Sequence, residues 1–257
     1  MNPRFFVPGI RESGQVVLLR GEEYHHLRKV LRLGAGDEIS LFDGRGLGFS
    51  GRIAGMSRGE ARIVLGDAEP RERESALRLI LVAALSKGEK FDLVVQKATE
   101  LGVSEIRPVY SERADVRAVP GREEKKVGRW CRVALEACKQ SGRTRIPLVH
   151  EPCALEEVLA GPAAEVRIVL DPGGPSDAAE TIRRVASAGE VAVAVGPEGG
   201  WSAGEVGRFR EAGFLSLRLG PRVLRTETAA IVSTALLQFL AGDLGGRPGT
   251  GVRLPGR

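Results

Sequence analysis

The stretch Val191–Ala230 reads VAVAVGPEGGWSAGEVGRFREAGFLSLRLGPRVLRTETAA. It holds two apolar runs, Val191–Val195 and Leu215–Leu219, and each ends in a glycine–proline loop that feeds a helical pattern. The first loop is Gly196-Pro197-Glu198-Gly199-Gly200. The second is Gly220-Pro221-Arg222-Val223-Leu224-Arg225-Thr226. Short β-branched runs alternating with amphipathic helices predict a mainly parallel sheet covered on both faces. Loops at the carboxyl ends of such strands are where ligands bind in an open α/β sheet. Glycines there allow a sharp turn and close approach of backbone to a ligand. The spacing alone also fits a plain strand-to-helix connection. It is neither a P-loop nor a dinucleotide fingerprint, because GxxxxGK[ST] and a helix-opening GxGxxG are both missing. Gly44-Arg45-Gly46-Leu47-Gly48 opens no helix.

Outward from this stretch the same alternation continues. Leu77–Ala84 is a strand. Ser86 with Glu89 reads as a capping box for a helix whose apolar stripe is Phe91, Val94, Val95, Ala98 and Leu101, closed by Gly102. Glu105–Tyr110 is a strand, Glu123–Ser141 a long helix, Val166–Leu170 a strand and Asp177–Ala186 a helix. Ser202 and Glu205 form a second capping box, for a helix closed by Gly213. Thr226–Leu240 is a final apolar helix. Residues 66–76 look like a linker, and the tail from Gly245 to Arg257 has the composition of a disordered segment.

Residues 1–70 have a different rhythm. Gln15–Leu19, Glu38–Phe42, Gly48–Ala54 and Ala61–Leu65 are short strands, and Asp43-Gly44 is a hairpin signal. Glu22–Leu33 is helical, with Gly34 as its stop. Several short strands with glycine-rich turns predict a compact barrel. The chain thus divides into a β-rich unit over 1–70, an α/β unit over 77–244 and a tail over 245–257.

Of 257 residues, 42% are hydrophobic and 28% charged, with a net charge of +5. Residues 71–150 carry 17 basic and 11 acidic groups, a net +6, whereas residues 151–257 carry 11 and 13. A basic region beside a neutral one points to an anionic macromolecule as partner. No apolar run is long enough to span a bilayer, and the start MNPRFFVPGIRESG lacks the core of a secretion signal. A cytoplasmic location with no membrane association is expected. Cys131, Cys138 and Cys153 form no zinc-type spacing, so no metal is expected.

GPEGGW followed by LGPRVLRTETA resembles the SPOUT superfamily of S-adenosylmethionine-dependent RNA methyltransferases. More narrowly it resembles the RsmE family, which methylates N3 of one uridine in 16S ribosomal RNA. KFDLVVQKATELGV (90–103), EACKQSGRTRIP (136–147) and HLRKVLRLG (26–34) are similar to three further elements of that family, although Lys139 stands where an acidic residue is more usual. The resemblance covers nearly the whole chain up to the tail. It implies a PUA-like RNA-binding barrel, an α/β domain with a trefoil knot, a homodimer, and 16S ribosomal RNA as substrate, with free RNA and the assembled 30S subunit both open.

It also implies a cofactor site. Leu170, Asp171, Gly173, Val195, Gly196, Pro197, Glu198, Gly199, Gly200, Leu219, Gly220, Pro221, Val223, Leu224, Thr226, Thr228 and Ala229 would line it. Leu170, Val195 and Leu219 would enclose the adenine. For uracil N3 to attack, its proton must leave and the charge on the ring must be stabilised. Arg225 is the first candidate for the stabilising cation, and Glu198 or Glu227 for the proton acceptor. Glu227 also fits a plain helix-dipole role.

Lys125, Arg129 and Arg132 share one helix face and, with Lys139, Arg143 and Arg145, are candidate RNA contacts. A second group is Arg4, His26, Arg28, Lys29 and Arg32. Two competing readings remain open on sequence: methylation of ribose 2′-OH or guanine N1 on the same fold, and a non-catalytic RNA-binding assembly factor.

Overall fold

The computed structural model describes all residues except 1, 70–73, 115, 117–120, 122, 162–163, 176–177 and 246–257. Two compact units divide the chain. One is Met1–Glu74 with Leu135–Ile146, and the other is Ser75–Ala134 with Pro147–Arg257.

The first unit is a curled, open five-stranded sheet. Its strands are β1 (Arg4–Phe6), β2 (Val16–Arg20), β3 (Glu38–Phe42), β4 (Gly48–Ser57) and β5 (Glu60–Ala68), in the order β1-β3-β4-β5-β2. β1 runs parallel to β3, and the remaining pairs are antiparallel. Two register shifts in the β4–β5 pairing, at Phe49/Gly51 and Ile53/Gly55, are bulge-like irregularities of the kind that bend a sheet. Alternate residues point inward, so Phe5, Leu19, Leu41, Ile53 and Ile63 fill one core. Asp43 closes the β3–β4 connection by accepting from the backbone N–H groups of Arg45 and Leu47. Helix α1 (Gly21–His25) runs on into a wider helical turn, His26–Val30. The helical stretch ends at Leu31, ahead of the Gly34 stop, because Arg32 itself adopts a left-handed conformation (φ 57°).

The expected linker over 66–76 is partly structured. β5 continues through Ala68, and Glu74 ties back to residues 143–145. Its carboxylate accepts from the Arg143 guanidinium and from the backbone N–H groups of Thr144 and Arg145.

The second unit is a six-stranded, wholly parallel sheet. Its strands are β6 (Arg78–Ala84), β7 (Glu105–Val109), β8 (Leu148–Val149), β9 (Val166–Leu170), β10 (Glu190–Val195) and β11 (Leu215–Leu217), in the order β11-β9-β10-β6-β7-β8. The helices are α2 (Lys90–Glu100), α3 (Glu123–Ser141), α4 (Leu155–Ala160), α5 (Ala179–Ser187), α6 (Ala203–Glu211) and α7 (Thr226–Ala241). Asp177, where the α5 helix was expected to begin, lies outside the described residues, as does the expected disordered tail beyond Gly245. Ile80, Val82 and Ala84 of β6 pack with α4 and α6, against Leu155, Val206 and Phe209. The intervening residues of β6 are buried as well, and α2 and α5 both pack on α7, which in turn contacts β6 and β10. Both faces of the sheet are therefore covered, as continuous apolar strands require.

Two capping expectations meet different outcomes. Ser202 caps α6, its hydroxyl accepting from the Glu205 N–H while Glu205 accepts from the Ser202 N–H. Ser86 caps nothing. Gly88 has φ +68°, which breaks the helical path, so α2 begins at Lys90 and the Ser86 hydroxyl stays buried without a partner.

Candidate functional site

β9, β10 and β11 are neighbours, and the chain leaves all three at the same end of the sheet. The turn after Leu170, the Gly196–Gly200 loop and the segment from Leu217 to Leu224 therefore converge there. Together with the first turn of α7 they enclose a cavity of about 250 Å³. Leu170, Asp171, Val195, Gly196, Pro197, Glu198, Gly199, Gly200, Leu219, Gly220, Pro221, Val223, Leu224, Thr226 and Ala229 line it. Gly173, Thr228, Arg225 and Glu227 are not among its lining residues. Pro172, Leu217, Arg218 and Arg222 are, although the sequence pattern gave no reason to choose them.

Close approach favours glycine at two positions of this loop. A Cβ on Gly196 would stand 3.2 Å from the Trp201 ring and backbone, and one on Gly199 3.2 Å from the Arg113 Cβ. Arg113 braces this loop by donating to the carbonyls of Gly199 and Trp201. Trp201 is buried and packs edge-on against Phe209 of α6, so the loop is fixed from behind by the core.

The cavity is rich in unused hydrogen-bonding capacity. Of its lining residues, Arg218 Nε and Thr226 Oγ1 are buried polar atoms without a hydrogen-bond partner among the described residues, as are Trp201 Nε1 and Glu227 Oε2 of two residues next to the lining in sequence. Buried polar groups are nearly always paired, so a cluster of orphans marks a place where a polar ligand completes the bonding. Among the described residues the backbone N–H groups of Arg222, Val223 and Leu224 also donate to no carbonyl of the chain. Apolar walls from Leu170, Val195 and Leu219 beside free backbone donors suit a flat heteroaromatic ring with acceptor edges. The donor set therefore fits S-adenosylmethionine.

A charged cluster stands at the edge of this cavity. Lys90 Nζ lies 2.6 Å from Glu198 Oε1. The bond from Glu198, then its charge and that of Glu227, raise the Lys90 ammonium above the ordinary lysine value, against the opposing charge of Arg225. Glu198, Glu227 and Arg225 thus all act electrostatically on Lys90. Lys90 was absent from the sequence-based candidates. It opens α2, 108 residues before its partner, and no local pattern links the two. Arg225 occupies the N-cap position of α7, exposed and without an ion pair among the described residues.

The candidate RNA-binding cations separate into two classes. Arg4 is buried, paired with Glu69 at 2.8 Å and lying over the Phe42 ring. Arg143 is buried against Glu74, Arg129 pairs with Asp92 and Glu89, and Lys139 bridges Glu23 and Glu136. These four are each engaged by carboxylates of the chain. Arg28, Lys29, Arg32, Lys125, Arg132 and Arg145 are exposed and make no ion pair among the described residues. His26 is half-buried, edge-on to Phe5.

No described helix is long and apolar enough to cross a membrane. Among the described residues no group of three or more His, Cys, Asp or Glu side chains is placed to hold a metal.

Residues 73–238 match the RNA methyltransferase domain family, and residues 19–66 match the RNA methyltransferase PUA domain family. The ribosomal RNA small subunit methyltransferase E of Buchnera aphidicola (Schizaphis graminum) is 30% identical over 246 residues, covering 94% of this chain and 98% of the relative. A methyltransferase of Legionella pneumophila, solved with bound cofactor SAM, superposes with a TM-score of 0.87 at 34% identity, over 95% of this chain and all of that one. The ribosomal RNA small subunit methyltransferase E of Neisseria gonorrhoeae, bound to S-adenosyl methionine, gives the same TM-score, identity and coverage of this chain. With a strand-end cavity of the right chemistry and matches over both units, this chain belongs to the RNA methyltransferase family that includes the small-subunit ribosomal RNA methyltransferases E.

Proposed function

We propose that this protein transfers a methyl group from S-adenosylmethionine to N3 of one uridine in the 16S ribosomal RNA of the 30S subunit. The observation that carries the reading is the cavity between the ends of β9, β10 and β11. Its lining includes most of the residues that the methyltransferase resemblance singles out, and two of its lining side chains carry unpartnered buried polar atoms. Two solved relatives that match 95% of the chain hold this cofactor.

Bound there, the cofactor supplies a methyl group made electrophilic by the attached sulfonium. The chain has to bind it, hold the uracil and manage one proton. Leu170, Val195 and Leu219 would enclose the adenine, and the backbone around Arg222–Leu224 would bond its edge. A uracil nitrogen that still carries its proton is a poor nucleophile. A carboxylate accepts that proton, and the negative charge left over O2, N3 and O4 is met by Arg225. Of the two carboxylates, Glu227 is the better supported acceptor. Its Oε2 is buried and unpartnered, whereas Glu198 is engaged by Lys90. Positioning supplies much of the remaining acceleration.

In this reading residues 1–70 are a PUA-like RNA-binding domain and residues 77–244 the catalytic domain, its C-terminal segment threaded as a trefoil knot. The enzyme works as a cytoplasmic homodimer. Support for the dimer comes from α7, where Val232, Leu236 and Phe239 recur at i, i+4 and i+7 and are exposed, Phe239 by 62%. Such a stripe is costly to leave in water and suits a helix face of a second copy.

The test is transfer of labelled methyl from S-adenosylmethionine into 30S particles that lack this modification. Incorporation into the 16S RNA is expected. Cofactor binding without any transfer would favour a non-catalytic assembly factor.

A further inference from the structure

Three of the five residues of the Gly196–Gly200 loop are glycine. Close approach to Trp201 and Arg113 favours glycine at 196 and 199, and Gly200 has φ +67°. Glycine loses more backbone freedom on ordering than any other residue, and a ligand that must order its own loop binds more weakly for it. Inside the loop the Gly200 N–H donates to the Pro197 carbonyl at 2.8 Å. Further restraint comes from the turn that follows β7, residues 111–113.

Arg113 stands 86 residues before Gly199. It is exposed, yet its Nη1 donates to two carbonyls of the loop region, Gly199 at 3.2 Å and Trp201 at 3.3 Å. One residue back, the Glu112 N–H donates to Glu205 Oε1 at 2.9 Å, and the Ser111 hydroxyl donates to Glu205 Oε2 at 3.3 Å. Oε2 also accepts from the Ser202 N–H at 2.7 Å. Capping α6 needs one oxygen of Glu205. The other reaches across to the β7 turn. Glu205 is only 1% exposed, and a carboxyl buried so deeply is uncommon unless the chain bonds both its oxygens. Neither Arg113 nor Glu205 lines the cavity, so both act on it through the loop.

We propose that Arg113 and Glu205 are positioning residues that hold the Gly196–Trp201 stretch in its cofactor-binding shape before S-adenosylmethionine arrives. The carbonyls of Gly199 and Trp201 are fixed by Arg113, and the N–H of Ser202 by Glu205. The fold thus supplies the ordering that a glycine-rich loop would otherwise draw from binding energy. The same restraint sets the backbone from which Glu198 reaches Lys90. The proposal rests on the cofactor reading above and adds to it two residues outside the cavity that govern affinity. Arg113 is the separable one of the two. Its replacement leaves the α6 cap and the core intact, whereas Glu205 serves the cap and the turn together.

The experiment is calorimetric binding of S-adenosylmethionine to the full-length protein, paired with acrylamide quenching of Trp201. The chain has two tryptophans, Trp130 and Trp201, so a Trp130→Phe background leaves Trp201 as the sole reporter. Arg113→Met keeps the aliphatic stem and removes the donor. It should weaken cofactor binding about tenfold, the worth of one bond from a charged donor. Without cofactor its Trp201 quenching should rise about twofold, and saturating cofactor should return it to the background level. Arg113→Lys keeps a charged donor and should recover most of both losses. The thermal midpoint should stay within about 2 °C of the background protein, as for an exposed side chain. Background-like affinity and quenching in Arg113→Met overturn the proposal, and so does equal behaviour of the Met and Lys variants. A larger fall in thermal midpoint, with quenching that cofactor does not reverse, makes Arg113 a brace for the whole fold and overturns it too. Failure of the wild-type protein to bind S-adenosylmethionine is a separate outcome that removes the cofactor reading and this proposal with it.

Discussion

Lys90 Nζ sits 2.6 Å from Glu198 Oε1, an ion pair that joins the start of α2 to the loop after β10 at the edge of the cofactor cavity. Glu198 holds the ammonium above its ordinary pKa, so Lys90 stays protonated through neutral pH and serves as a cation, not as a base. Lys90→Ala is expected to leave S-adenosylmethionine affinity within about twofold and to lower turnover about 10–100-fold, less than the loss of a buried oxyanion donor because Lys90 faces solvent. Calorimetry and single-turnover kinetics separate the two. A matched loss in both would make the pair a brace for the cavity.

Glu227 and Glu198 can be ranked by the same logic. Glu227→Gln removes the unpartnered carboxylate and should lower turnover by about 10²–10⁴, the usual range for a general base. Glu198→Gln should cost a smaller factor. The reverse order in single-turnover rates would assign the proton to Glu198.

Gln238 of α7 is fully buried, and both ends of its amide are used. Oε1 accepts from the Ser75 hydroxyl at 2.7 Å, and Nε2 donates to the Gly102 carbonyl at 3.1 Å. Gln238→Leu leaves those two groups without partners and should cost about 1–3 kcal/mol in denaturant unfolding. Cofactor affinity serves as the control, since Gln238 does not line the cavity.

Glu105 is the hub of an ion network with Arg78, Arg107 and His150. Burial by itself would raise its carboxyl, but the bonds from Arg107, His150 and Arg78 outweigh burial and hold it below the ordinary value of 4.5. A carboxyl depressed in the folded state stabilises the protein above the unfolded pKa, and that contribution disappears as pH falls through the folded one. Stability should therefore drop as pH is lowered below about 4.5, and Glu105→Gln should flatten that part of the curve. An unchanged acid slope would show the network to be energetically neutral.

Much of the fold was legible because it rests on local signals. The continuous apolar strands, the 19-residue α3 and the Ser202–Glu205 capping box all read directly from short-range pattern. Elements too short to show a period escaped: β1, the two-residue β8 and the six-residue α4. Ser86 misled because the capping motif was present but Gly88 diverted the backbone. In the site, the loops were visible through their glycines and prolines, whereas Lys90 was not, since its role depends on a partner 108 residues away. Charge alone likewise failed to separate Arg4 and Arg143, which are buried in ion pairs, from Arg28 and Arg32, which face water.

The dimer reading has its own measurement. If the Val232, Leu236 and Phe239 stripe meets a second copy, wild-type protein sediments as a dimer and Phe239→Glu shifts it toward monomer. A monomeric wild type would return that stripe to the surface of a single chain.

The most direct test of the central claim is to locate the transferred methyl. Unmodified 30S subunits are incubated with the protein and isotopically labelled S-adenosylmethionine, and the 16S RNA is digested and sequenced by mass spectrometry. The account predicts one labelled nucleoside, a uridine carrying the methyl on N3, and labelling slowed by about 10²–10⁴ with Glu227→Gln. Label on a ribose, on guanine, or on any base other than uracil would contradict it.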